Sequence, residues 1–140
     1  ARGAAAVTTR LTVGDRLPIV VSAIGQAYLA ACDGGEIAEI AELLAESDPQ
    51  AAATLGDKVT DARRQIAEQG FCLSMDTWLP GIHAIAAPVL DLDTKTRMAV
   101  NCGGVATLLP KQRLLEDLGP AIEALASHIS ALPPRAQSHG

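Results

Sequence analysis

The residues equipped for chemistry are few. Cys102 precedes Gly103-Gly104, and His83 lies on an earlier apolar run. A thiol at a strand end, with His83 as base and glycine amides facing an oxyanion, would make a small cysteine hydrolase. No third residue is marked out to orient His83, and free cysteine is among the most buried residue types, so a packed thiol is the plainer reading. Asp91-Leu92-Asp93 has the look of a paired-carboxylate metal site. Between two strand-like runs it reads more simply as a solvated hairpin turn. His83, His128 and His139 share no ligand spacing, so neither a metal nor a cofactor is expected. Gly103-Gly104 lacks the pattern that surrounds a phosphate cradle. Trp78, beside Pro80-Gly81, is either a core lid or a ring lining a pocket.

Most of these groups fall in one stretch, residues 71–104, which reads as a sheet. Phe71, Leu73 and Met75 alternate with Cys72, Ser74 and Asp76, the period-2 pattern of a half-buried strand. Thr77-Trp78-Leu79-Pro80-Gly81 breaks the run, because proline cannot donate to a ladder and glycine supplies a turn. Ile82 to Leu90 is apolar enough for a central strand. The polar segment from Asp91 to Thr96 turns the chain, and Arg97 to Cys102 returns as the second arm of a hairpin.

The flanks read as helices. Residues 1–8 are expected to be a frayed lead-in, with a strand over Thr8–Val13. A short extended run, Leu17–Val21, leads to Ser22, which is placed to cap a helix through Ala31. Gly25 inside that helix points to a close approach by another backbone or a ligand. Ile37, Ile40, Ala41 and Leu44 form one stripe, ended by Ser47-Asp48-Pro49. The Ala-rich stretch to Gly56 fits no single pattern. Val59, Ala62 and Ile66 form the next stripe, with Gly70 as its left-handed C-cap. Leu114, Leu118, Ile122, Leu125, Ile129 and Leu132 mark a last helix, in which Pro120 demands a kink or a restart with Pro120 in the first turn. Residues 133–140 are expected to be a mobile tail.

Composition narrows the class. About half the residues are apolar, yet Tyr28, Phe71 and Trp78 are the only aromatics, so the core is aliphatic. A net charge of −5, with small basic clusters only at Arg63-Arg64 and Lys111/Arg113, argues against a nucleic-acid surface. Both clusters read as solvated helix faces. Cys32, Cys72 and Cys102 show no CxxC spacing and suit a reducing, cytoplasmic setting. No run approaches the roughly 20 apolar residues of a membrane span. The opening Ala1-Arg2-Gly3 lacks an initiator Met, which suggests a fragment of a longer polypeptide.

Three motifs in order carry a family resemblance. Leu17-Pro18-Ile19-Val20-Val21-Ser22-Ala23-Ile24-Gly25-Gln26-Ala27-Tyr28-Leu29-Ala30 resembles the LPxxxSxxGxAxLA segment of IclR-type transcriptional regulators. The stretch from Arg63 to Gly70-Phe71 is similar to their RxxGY element, and Leu79-Pro80-Gly81 through Pro88-Val89 to their ExxPGvxxiAaPV stretch. The resemblance runs from about Arg10 to Leu132. It implies an α+β, GAF-like effector-binding domain over 9–132, an antiparallel sheet with helices packed on its faces. The family's winged helix-turn-helix and the first strands of the effector domain have no counterpart here, so DNA would be met only through a domain absent from this chain.

The resemblance also implies a role and a site. The domain would bind a small organic acid, self-associate as a dimer or tetramer, and alter how the regulator's DNA-binding heads sit on an operator. A carboxylate would be held by the Ala23 and Ile24 amides at a helix start. Where relatives that bind small oxo-acids carry an Asp, a Cys and two Ser, this chain has Ser74, Ala84, Asn101 and Gly103. Those replacements favour a ligand larger and more apolar than pyruvate, stacked near Trp78 or Met75. The competing readings are the hydrolase using Cys102 and His83, and a dimerisation domain without ligand.

Overall fold

The computed structural model describes residues 16–91 and 96–132. The strand expected over Thr8–Val13, the hairpin turn with its second carboxylate Asp93, His139 and the tail all lie outside the described residues.

Among the described residues, three strands form an antiparallel sheet in the order β1-β2-β3: β1 (Cys72–Met75), β2 (Ile82–Asp91) and β3 (Thr96–Val105). Ser74 stands opposite Ala84, which stands opposite Gly103, so one row of small residues crosses all three strands. β1 reaches only as far as Cys72 opposite Ala86. Pro88 therefore sits where β2 has no neighbour on that side, and its missing N–H costs no ladder bond there.

Both faces of the sheet are covered. The strand expected to be half-buried instead sorts its side chains between two packed layers. Helix α1 (Ala23–Ala31) lies on the face of Cys72, Ser74, Ala84 and Ala86; Ala23, Ala27, Ala62, Cys72 and Ala86 pack together there, and small side chains let the helix come close. Phe71, Ile85, Ala87 and Val89 point the other way, into the main core with Leu109, Leu114, Ile122 and Ala126.

Helix α2 (Gly34–Ser47) begins at Asp33, whose side chain accepts the Glu36 N–H while Glu36 reaches back to the Asp33 N–H, a capping box. Helix α3 (Pro49–Gln69) resolves the open Ala-rich stretch. Asp48 accepts the Ala51 N–H, Pro49 occupies the first turn, and helix runs unbroken to Gly70 at φ 86°. Ile37, Ile40, Ala41 and Leu44 pack against Val20, Leu29, Leu55 and Val59, but the stripe expected to be buried is only half-buried.

The last helical segment starts as α4 (Lys111–Arg113), widens into a π-helical turn (Leu114–Leu118) and continues as α5 (Gly119–Ser130). Pro120 falls in the first turn of α5, and the wider turn ahead of it absorbs the N–H it lacks. A Cβ at Gly119 would fall on the Phe71 ring, and that contact sets the helix phase. Gly119, Ile122, Ala126 and Ile129 follow at i, i+3, i+7 and i+10, so Leu125 and Leu132, expected inside, are exposed.

Candidate functional site

The site is built on the start of α1. Ile19 to Val21 is a turn rather than the extended run expected, closed by the Ser22 N–H on the Pro18 carbonyl at 3.1 Å. The Ser22 hydroxyl donates to that same carbonyl at 2.7 Å and accepts the Gly25 N–H at 3.1 Å. Gln26 N–H goes to the Ser22 carbonyl at 3.0 Å. Of the four donors that a helix start leaves over, two are thus satisfied. The amides of Ala23 and Ile24 have no protein acceptor among the described residues. Gly25 is required because a Cβ would fall on the Ile19 carbonyl, so the close approach is that of a backbone.

The far end of α1 is neutralised. Arg63 donates to the Cys32 carbonyl at 2.8 Å, and Arg97 to the Ala31 carbonyl at 2.6 Å while pairing with Glu36 at 3.0 Å. Arg63 is therefore no idle surface charge: two cations sit at the negative end of the helix dipole. The positive end faces a cavity of about 230 Å³.

That cavity is walled by Ser22, Ala23 and Ile24 from the helix, by Ser74, Ala84, Asn101 and Gly103 from the sheet, and by Leu17, Trp78, Ile82 and Gly104 around them. Drug-sized ligands occupy roughly 300–1,000 Å³, so this one suits something smaller. None of its lining residues is charged. A Cβ on Gly103 would stand 3.3 Å from that of Ala84, which shows how shallow the sheet is kept there. The Ser74 and Thr77 hydroxyls lie 2.6 Å apart and both reach the Val21 carbonyl, at 3.2 and 2.9 Å, so they pin the turn that presents the amides. Asn101 is exposed with its side-chain amide unpaired among the described residues.

Seven of the expected residues thus come together: Ala23, Ile24, Ser74, Trp78, Ala84, Asn101 and Gly103. Met75 does not. Strand alternation sends it to the opposite face, against the core of Phe71 and Ile85. The half-buried Trp78 ring is a wall rather than a core lid. On sequence, Leu17, Ser22, Ile82 and Gly104 carry only the signals of a strand, a cap or a bend. Thr77 carried no sequence signal, since its role depends on a carbonyl far away in the chain.

Cys102 and His83 form no dyad. Both lie on the face away from the cavity. The His83 ring is engaged at both nitrogens, Nδ1 with the Leu109 carbonyl at 2.7 Å and Nε2 with Asp76 at 3.2 Å. His128 lies exposed beside the apolar stripe of α5. Among the described residues no group of His, Cys, Asp and Glu is arranged to hold a metal ion, and no helix is long and apolar enough to cross a membrane.

Residues 2–131 match the family model described as Bacterial transcriptional regulator IclR C-terminal. No curated protein matches the chain. Among solved structures, an IclR family transcriptional regulator from Brucella abortus is 30% identical with a TM-score of 0.76, over 91% of this chain and 48% of that one. A transcriptional regulator from Rhodococcus sp. RHA1 is 25% identical with a TM-score of 0.72, over 89% and 51%. This chain therefore spans about half the length of those two. The inducer-binding domain of the PobR transcription factor from Acinetobacter, solved as a double mutant with 3-hydroxybenzoic acid, shares the fold at 23% identity and a TM-score of 0.67, over 89% and 74%.

Proposed function

Because this chain belongs to the IclR family of bacterial transcriptional regulators, as the C-terminal effector-binding domain, we propose that it senses a small organic acid over residues 9–132 and passes that occupancy to DNA-binding heads outside this sequence. The observation that carries the reading is the pair of amides, Ala23 and Ile24, that have no protein acceptor among the described residues and lie at the positive end of α1 on the rim of an uncharged cavity. A carboxylate there meets two donors and a favourable dipole without needing an arginine.

The acid is larger and more apolar than pyruvate, and aromatic. Ala84 and Gly103 leave depth at the sheet, Trp78 offers a ring face, and Asn101 can bond a ring substituent. The Acinetobacter structure holds a hydroxybenzoic acid, which is consistent with such a ligand. Regulation then follows from linkage: the acid must bind one arrangement of the self-associated regulator better than another. The protein works in the cytoplasm as a dimer or tetramer and performs no catalysis. A thermal-shift series of carboxylic acids tests this. Benzoate-type acids are expected to raise the melting temperature and pyruvate is not; the reverse ranking would remove the argument from cavity depth.

A further inference from the structure

Just past β1, Asp76 holds φ 61°, a left-handed conformation uncommon for a residue with a side chain. That backbone brings its carboxylate to two partners. Oδ1 accepts the Gly81 N–H at 2.6 Å, and Oδ2 faces His83 Nε2 at 3.2 Å. The Gly81 amide, and after it His83, hold the Asp76 carboxyl below its ordinary range. The Asp76 N–H also donates to the Ile82 carbonyl at 3.1 Å, so the loop between is closed at its base. Trp78 rides on that loop and lines the cavity, whereas Asp76 and His83 do not.

The tie continues across the sheet. His83 Nδ1 meets the Leu109 carbonyl at 2.7 Å, and the Ala106 N–H donates to the Gly81 carbonyl at 2.7 Å. Leu109 is itself buried in the core that packs on α5. The Trp78 loop is thus fastened to the segment that leads into the helical layer on the opposite face.

We infer that Asp76 and His83 are positioning residues: clasped together, they fix the Trp78 ring over the cavity and so set its preference for a flat acid. The preference rests on the proposed function; the clasp does not. Trp78 is the only tryptophan, so its fluorescence reports the loop alone.

Acrylamide quenching of the ligand-free full chain tests the clasp in Asp76→Gly and His83→Ala. Glycine accepts φ 61° without strain but frees the loop backbone, so His83→Ala, which leaves that backbone unchanged, must show the same rise. The quenching constant is expected to rise about twofold or more in both, as for a segment whose local opening is freed. A constant unchanged in folded Asp76→Gly overturns the clasp. Should that variant lack a cooperative melt, Asp76→Asn, which keeps the acceptor for Gly81 but not the charge facing His83, is judged by the same criterion. Calorimetric titration with benzoate and pyruvate supplies the second readout. The clasp variants should lose the benzoate preference with little change for pyruvate; a preserved preference overturns the selectivity half. If the parent protein binds neither acid, the functional reading fails, and quenching still decides the clasp.

Discussion

Ala84 and Gly103 face each other across β2 and β3, and the atoms they lack decide what the cavity holds. Gly103→Ser would place a Cβ against Ala84 and a hydroxyl in the ring's space. We expect the affinity for a benzoate-type acid to fall tenfold or more, about 1.4 kcal/mol, with the melting temperature nearly unchanged. Unchanged affinity by calorimetry would count against the assigned orientation. A second residue reports on the small-residue face. Burial pushes the Cys72 thiol up to about 12, with Asp61 adding to the shift. The folded chain therefore keeps a proton that the unfolded chain releases, so stability is full below 9.0 and declines as pH rises toward about 12. Comparing urea midpoints of the parent and Cys72→Ala across that range should show a steeper decline in the parent; parallel curves would contradict it. The small residues were legible as gaps in a family pattern. The side taken by Met75 is equally legible, because strand alternation places it with Phe71 and Leu73 rather than with Ser74.

Among the elements, α3 does more than cover α1. Gln65 accepts the Leu73 N–H at 2.9 Å and Gln69 donates to the Phe71 carbonyl at 3.0 Å. Two glutamines at i and i+4 thus stand in for a neighbouring strand and seal the β1 edge. Gln65→Leu leaves a partly buried N–H unpaired, and about 1–3 kcal/mol of stability should be lost. Chemical denaturation would measure it; an unmoved midpoint would show that water replaces the bond at no cost. Helix starts and stops were legible because their signals are local: Ser22, Asp48-Pro49 and Gly70 each act on their own turn. The glutamine seal was not, since on sequence it is polar residues on a polar face. Pro120 announced an interruption, but its form as a π-helical turn depends on Gly119 packing under Phe71.

At the scale of the molecule, the sheet separates two environments. Its aliphatic face carries the core, and its small-residue face leaves a hollow beneath the start of α1. Fold class and motif order were legible before any coordinates, whereas the cavity's lining needed the strand register. The central claim is that helix-start amides, not a charged side chain, hold the ligand's carboxylate. Ala23→Pro removes one of those donors at the first helical position, after a Ser22 already extended at ψ 149°, where proline is well tolerated. The decisive measurement is calorimetric titration of benzoate-type acids into the parent and this variant, beside their ligand-free melting temperatures. In the parent, acid at about 100 times its dissociation constant should add roughly 2.7 kcal/mol of stability. The variant, whose ring adds bulk to the packed small-residue face, should still melt cooperatively and bind the acid tenfold or more weakly, a loss of about 1.4 kcal/mol. Equal binding by both proteins would contradict the claim.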